Sequence, residues 1–320
     1  MRYLLSTLFV VISLSSCDDS FNPKTDFQQE YVLYCILDGD TTFQFATLNG
    51  TFDVSNFDPA SFDGNTEVRN AVIRIETDSS EIILKDTTIL LNNKEVNLYY
   101  TNEFKPDDNQ EVNITAELPN GIRLLSSTTT PRAKNLTFSP AGIFTNYFVS
   151  SENDGLTLYW EISDFPSERV LYLPDLTVRY FKKEGNVTTE KIKKVPLQYF
   201  ENNGELIPFY PVVITSNSIH FTQNVLSQAL YEISEGDTNK FNYYIESFYF
   251  DLYILDNNLA PYYLTTQTFL DGFTVFVDNI SYSNIEGGYG VFGSFFTRSL
   301  KISVDPSFLD EFGYRTSDDL

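Results

Sequence analysis

Residues 71–78, AVIRIETD, alternate apolar and polar side chains with a period of two. A chain with that pattern turns one face of an extended strand to a core and the other to water. The pattern recurs along much of the sequence and leaves little room for a helical fold. EYVLYCILD (30–38) and TTFQFATL (41–48) flank the turn residues Asp38-Gly39-Asp40 and read as a hairpin. SEIILKD (80–86) follows AVIRIETD across a Ser-rich turn, and a polar stretch without periodicity, 49–66, separates the two pairs. EVNITAEL (111–118) and IRLLSSTTT (122–130) flank Pro119-Asn120-Gly121, where Asn-Gly suits the positive φ angles of a type I′ turn. Such a density of short strands predicts an immunoglobulin-like β-sandwich over 29–131, with Pro131 closing it.

The remainder, 135–320, predicts a second antiparallel β domain. Its strands are expected at 156–163, 169–183, 191–200, 241–255, 273–280 and 290–304. One segment departs from the period of two. In TQNVLSQALYEISEG (222–236), Leu226, Ala229, Leu230 and Ile233 recur at three- and four-residue spacings. Thr222 is placed to cap a helix there and Gly236 to end it. The tail 305–320 is acidic and polar and is expected to be a short helix or frayed. The expected fold is therefore all-β, a sandwich followed by a second β domain with one helix.

The first twenty residues, MRYLLSTLFVVISLSSCDDS, form a different kind of unit. Arg2 precedes a short, mostly apolar run, Tyr3 to Leu14. That run is too short for a membrane span, which takes about 20 residues, and it fits the core of a secretory signal peptide. Leu14-Ser15-Ser16-Cys17 resembles the lipobox of bacterial lipoproteins. That resemblance implies a signal peptide over 1–16, cleavage between Ser16 and Cys17, and lipid on the Cys17 sulfur and amine. One acyl chain binds a membrane only marginally, whereas several on one residue hold it firmly. The expected partner at this end is thus the membrane, through a lipidated linker, 17–28. Asp18 and Asp19 resemble the surface-export signal of Bacteroidota lipoproteins.

Composition narrows the chemistry. The formal net charge is −23 and the pI about 4.2, a field that repels nucleic acid. Removal of the leader and acylation of Cys17 leave Cys35, in an apolar run, as the free thiol, so no disulfide framework is expected. With His220 the only histidine, a zinc site of His and Cys ligands is excluded, and a Ser-His-Asp triad would depend on that residue alone. Asp38-Gly39-Asp40, Asp63-Gly64-Asn65 and Pro106–Gln110 offer oxygen ligands of the kind calcium takes. None matches an EF-hand loop, and they are read as acid-rich turns without metal. Trp160, the only tryptophan, lies in an alternating strand and is expected in the core. Tyr243, Tyr244, Tyr249, Tyr262 and Tyr263 are the candidates for an aromatic platform that would bind sugar. Two carboxylates at a suitable separation would suffice for a glycosidase.

Gly288-Tyr-Gly290-Val-Phe-Gly293 satisfies G-x-G-x-x-G letter for letter. A dinucleotide loop needs a helix after its glycines, so that phosphate can sit on the helix N-terminus. Here SFFT and RSLKISV come next, and they are strand formers. The glycines are instead expected to allow a bend or a close backbone approach. Gly287, Gly288, Gly290 and Gly293 are assigned as a structural motif, with Tyr289, Val291 and Phe292 packing beside it. No cofactor and no catalytic residue is expected.

The segment SNIEGGYGVFGSF resembles the C-terminal signature, N-x-x-G-G-x-G-x-F-G, of domain-of-unknown-function family 4249, a family of Bacteroidota lipoproteins. Other pieces fall in the family's order: the lipobox cysteine, the strand Tyr31 to Leu37, Asn70-Ala-Val-Ile-Arg74, and the hairpin from Asn120-Gly121 to Pro131. The chain departs at Cys35-Ile-Leu37, where members often carry glycine near the strand's end. The resemblance implies an all-β protein on the outer membrane, facing outward, that assists a TonB-dependent transporter without catalysing a reaction. It supplies no catalytic residues. The alternatives are a surface adhesin or spacer, and a hydrolase of unfamiliar type. The ligand is not specified by the sequence.

Overall fold

The computed structural model describes residues 27–53, 62, 64–91, 94–139, 148–150, 154–163, 170–266 and 282–320. The expected signal peptide with Ser16, the lipid attachment residue Cys17, Asp63 and the strand expected at 273–280 lie outside them.

The chain begins with β1 (Tyr31–Asp38), β2 (Gln44–Gly50), β3 (Val72–Glu76), β4 (Glu81–Ile83), β5 (Lys85–Leu91) and β6 (Lys94–Thr101). It continues with β7 (Glu111–Glu117), β8 (Arg123–Thr129), β9 (Leu136–Ser139), β10 (Phe148–Val149), β11 (Gly155–Ile162), β12 (Leu171–Glu184) and β13 (Val187–Val195). Then come β14 (Gln198–Asn202), β15 (Glu205–Phe209), β16 (Ser218–Thr222), helix α1 (Gln223–Ile233), β17 (Tyr243–Leu255) and helix α2 (Leu259–Thr266). The described chain ends with β18 (Tyr289–Val304), the short helix α3 (Pro306–Asp310) and β19 (Arg315–Thr316).

The fold is all-β and sandwich-like. A ten-stranded sheet in the order β13-β12-β17-β18-β1-β2-β6-β5 forms its backbone, with β10 added on β18 and β19 on β17. Two smaller sheets cover it. The four-stranded sheet β4-β3-β7-β8 encloses one core, with Leu33, Cys35, Leu48, Ile73, Ile114 and Phe292 among its buried residues. The three-stranded sheet β16-β11-β9 and helix α1 enclose a second, with Trp160, Phe221, Leu226, Leu230, Phe248 and Phe250 among its buried residues. The expected boundary at 131–135 falls between the two covering layers, and the ten-stranded sheet crosses it. The crossing strand is β18: its first half pairs parallel with β1, and its second half antiparallel with β17. A third, smaller apolar cluster forms where Val32 and Tyr34 of β1 meet Leu259, Tyr262 and Tyr263 of α2.

Helix α1 obeys the expected spacing. Val225, Leu226, Ala229, Leu230 and Ile233 are buried, and the Thr222 hydroxyl accepts from the Val225 N–H at 3.4 Å. The helix ends at Ile233, and Gly236 takes φ +75° just beyond it. Trp160 is buried as expected, edge-on to Tyr172 at 5.5 Å.

Three local features differ from expectation. The run 191–200 divides at Pro196, with β13 ending at Val195 and β14 starting at Gln198, because proline brings no donor to a ladder. The Pro119-Asn120-Gly121 loop is a three-residue hairpin and not a two-residue type I′ turn. Only Gly121 has positive φ there, +86°, and its N–H donates to the Leu118 carbonyl at 2.9 Å. Helix α2 is not foreshadowed by its own sequence, LAPYYLTT, which carries no helical stripe.

Candidate functional site

The glycine motif lies at the start of β18, against both β1 and β8. Gly287 has φ +83°, and a Cβ there would stand 2.5 Å from the Arg123 carbonyl oxygen. A Cβ on Gly288 would be 2.5 Å from the Tyr31 carbonyl oxygen. Gly290 has φ +118°, and its Cβ would collide with the carbonyl of Leu33, its register partner in β1. Gly293 is tight for a different reason: its Cβ would lie 3.0 Å from the Leu259 Cβ and 3.2 Å from the Asp256 Oδ1. Each glycine lets one backbone or helix start approach another. The chain runs on from these glycines as strand β18, so no helix N-terminus is available to a phosphate. Of the motif's other residues, Val291 and Phe292 are buried and Tyr289 is exposed.

Two side chains that sequence reasoning passed over complete this seam. Asn284 acts as a substitute strand: its Nδ2 donates to the Phe292 carbonyl at 2.7 Å, and its Oδ1 accepts from the Phe292 N–H at 2.9 Å. The Asn284 carbonyl in turn accepts from the Ser126 hydroxyl at 2.7 Å. Glu286 and Leu125 exchange backbone hydrogen bonds of 2.8 and 3.0 Å, which ties the glycine loop to β8. The second side chain is Asp256, which is buried. Its carboxylate accepts from Thr128 Oγ1 at 2.5 Å, Leu259 N at 2.6 Å, Ser294 Oγ at 2.8 Å and Asn258 N at 3.0 Å. Burial pushes this carboxyl above its ordinary range, and those four donors pull the other way. The signal for Asn284 was present, as the first letter of the glycine signature. Asp256 carried the local signal of an acid capping the helix that follows it, through the Asn258 and Leu259 N–H groups; its contacts with Thr128 of β8 and Ser294 of β18 carried none.

The candidates for chemistry are held in structural contacts. The His220 Nδ1 and the Thr157 Oγ1 share a hydrogen bond of 2.8 Å across β16 and β11. Tyr243, Tyr244, Tyr262 and Tyr263 are buried, and Tyr249 is covered by the Arg179 guanidinium at 4.3 Å and the Lys301 ammonium at 5.6 Å. None of the five presents an open aromatic platform. Asp40 accepts from the Thr297 N–H at 2.6 Å, and Asp108 from Ala133 and Lys134 N–H groups at 2.5 and 2.8 Å. These two acids, from the stretches set aside as calcium ligands, thus serve backbone donors. Among the described residues no group of three or more acids, histidines or cysteines is placed to hold a metal. Cys35 is buried, which pushes its thiol up to about 12 and leaves it unreactive. One acid pair stands side by side on the ten-stranded sheet, Asp175 of β12 opposite Asp251 of β17. Lys194 neutralises Asp175 at 3.4 Å, and the Ser299 hydroxyl donates to Asp251.

One element has no such engagement. Strands β14 and β15 pair only with each other, as a separate two-stranded sheet. Asn203 and Gly204 join them with φ of +52° and +84°, the geometry of a type I′ turn. Phe200 stands opposite Ile207, and Phe209 opposite Gln198, so all three apolar side chains share one face. Their exposures are 50, 45 and 39 %. The two phenyl rings meet edge-on at 5.9 Å. Leu206, on the other face, is also exposed. The hairpin is rooted by the Leu197 N–H, which donates to the Phe209 carbonyl at 2.8 Å, and by Leu197 and Tyr199 packed on the second core. The Asn-Gly pair was the sequence signal for it.

A family model described as a domain of unknown function (DUF4249) matches residues 18–300. No curated protein matches the chain.

Proposed function

The chain belongs to the DUF4249 family, and from that premise we propose that it is a lipid-anchored outer-membrane protein. On this reading it faces the cell exterior and works by contact, as a non-enzymatic accessory module for a TonB-dependent transporter. The sequence supports the tether: an apolar leader ends in Leu14-Ser15-Ser16-Cys17. The observation that carries the contact reading is the β14–β15 hairpin. It exposes Phe200, Ile207 and Phe209 on one face while the polar groups considered for catalysis are bound into the fold. Exposed aromatic and aliphatic side chains grouped on a projecting element mark interaction surfaces.

The test has two arms. Cys17→Ser should release the protein from the membrane fraction, and protease added to intact cells should remove the wild-type protein without lysis. Affinity purification of the wild-type protein from detergent-extracted outer membranes should bring down a transporter barrel in stoichiometric amount. Unchanged membrane fractionation of Cys17→Ser would refute the tether. Purification without any barrel would refute the transporter assignment.

A further inference from the structure

We propose that the β14–β15 hairpin is the docking element of this protein, and that it seats in an apolar pocket of another protein rimmed by Lys or Arg side chains. The inference rests on the proposed role as a contact module and names the surface and the chemistry of its partner.

A lone two-stranded hairpin is marginal in water. This one keeps its form through a type I′ turn and an edge-to-face Phe200–Phe209 pair. Both fix the apolar face before any partner arrives, which lowers the ordering cost of binding. Burying side chains such as Phe200, Ile207 and Phe209 is the main favourable contribution such an element can make.

Three occupants could cover that face, and charge separates them. The first is a lipid surface. Glu205 lies on the same face as Ile207 and Phe209, next to the turn, and Glu201 lies across the strand pair on the other. Inserting the hairpin would carry both carboxylates toward hydrocarbon, where an unpaired charge is expensive. The anionic surface of a leaflet would also repel a chain of net charge −23. Lys193 and Lys194, the basic residues of β13 nearest the hairpin in sequence, do not offset this, because Lys193 is paired with Glu232 at 2.5 Å and Lys194 with Asp175 at 3.4 Å. The second occupant is another copy, which would bring two such charges and two sets of these carboxylates together. The third is a different protein. An apolar centre with carboxylates at its margin matches the usual anatomy of a protein interface, with an anchored core and a polar rim. The complement of Glu201 and Glu205 is a cationic rim.

The experiment places a benzophenone amino acid at position 200 of the full-length, lipidated protein in intact cells, with position 83 as control. Ile83 is equally exposed but sits on the four-stranded layer. Irradiation should yield one adduct with a different protein from position 200 and at most a trace from position 83. In the Glu201→Lys, Glu205→Lys double variant the adduct should fall by about tenfold or more, as loss of charge complementarity requires. An adduct of twice the chain mass, or one with lipid alone, would overturn the proposal. So would a yield that charge reversal leaves unchanged. An adduct with another protein from position 83 but not from 200 would remove the hairpin and leave the contact role standing. No protein adduct from either position would overturn both.

Discussion

The glycine seam and the β14–β15 hairpin are built from the same strand chemistry and put to opposite use. In the seam, Gly287, Gly288 and Gly290 remove side chains so that backbones can meet, and Asn284 and Asp256 close the remaining polar groups. In the hairpin, Phe200, Ile207 and Phe209 add large side chains that stay about half exposed. The most conspicuous motif of the sequence is therefore architectural. It lets one strand, β18, pass from the first core to the second. The element proposed for recognition is marked by an ordinary Asn-Gly turn.

Substitution breaks the two regions differently. Gly290→Ala combines a positive φ with a collision against the Leu33 carbonyl. It should lower stability by about 4 kcal/mol or more, enough to abolish a cooperative thermal transition or the folded yield. A variant that melts like the wild type would show that the seam tolerates a side chain. Asn284→Ala leaves the Phe292 N–H and carbonyl without their side-chain partner and should cost about 2 kcal/mol, read as a lower urea midpoint.

The third prediction concerns pH and uses the acid pair away from both regions. Burial holds the Asp175 carboxyl above its ordinary value, Lys194 opposes this, and Asp251 reinforces it. A carboxyl raised in the folded state binds more protons there than in the unfolded chain. Its contribution is complete below the unfolded value near 3.8 and is lost as pH rises through the folded one. Asp175→Asn removes that contribution. The urea midpoint of the variant should therefore change less favourably than that of the wild type as pH falls from neutrality toward 4. Parallel curves would show that Asp175 is not held above its ordinary value. The smallest effect on stability is expected at the hairpin. Phe200→Ser combined with Phe209→Ser should move the folding free energy by roughly 1 kcal/mol, because both rings are about half exposed and mainly hold each other. The same variant should lose its cellular contact. Strong destabilisation would mean that the rings belong to the core.

Much of the scaffold was legible in the sequence because it depends on local periodicity. The alternation in 71–78, the strand runs 111–118 and 241–255 and the helical stripe ending at Ile233 each became the element expected. Other features depended on distant partners. The parallel pairing of β18 with β1 joins residues far apart in the chain, and no local pattern encodes it. The burial of Asp256 depends on Thr128 and Ser294 in the same way. The tyrosines proposed as platforms are not platforms because strand position alone does not say which face is covered: Tyr243 and Tyr244 are adjacent in sequence and both are buried. The hairpin is hidden by an apolar run that continues through Pro196, although Asn203-Gly204 carries the turn signal.

The contrast between seam and hairpin is most directly tested by amide hydrogen exchange on the purified protein and on the protein in native outer membranes. Peptides covering 284–294 should be equally protected in both states, and peptides covering 198–209 should be more protected in the membrane than in the purified protein. A hairpin that exchanges at the same rate in both states, with new protection appearing elsewhere, would contradict the account.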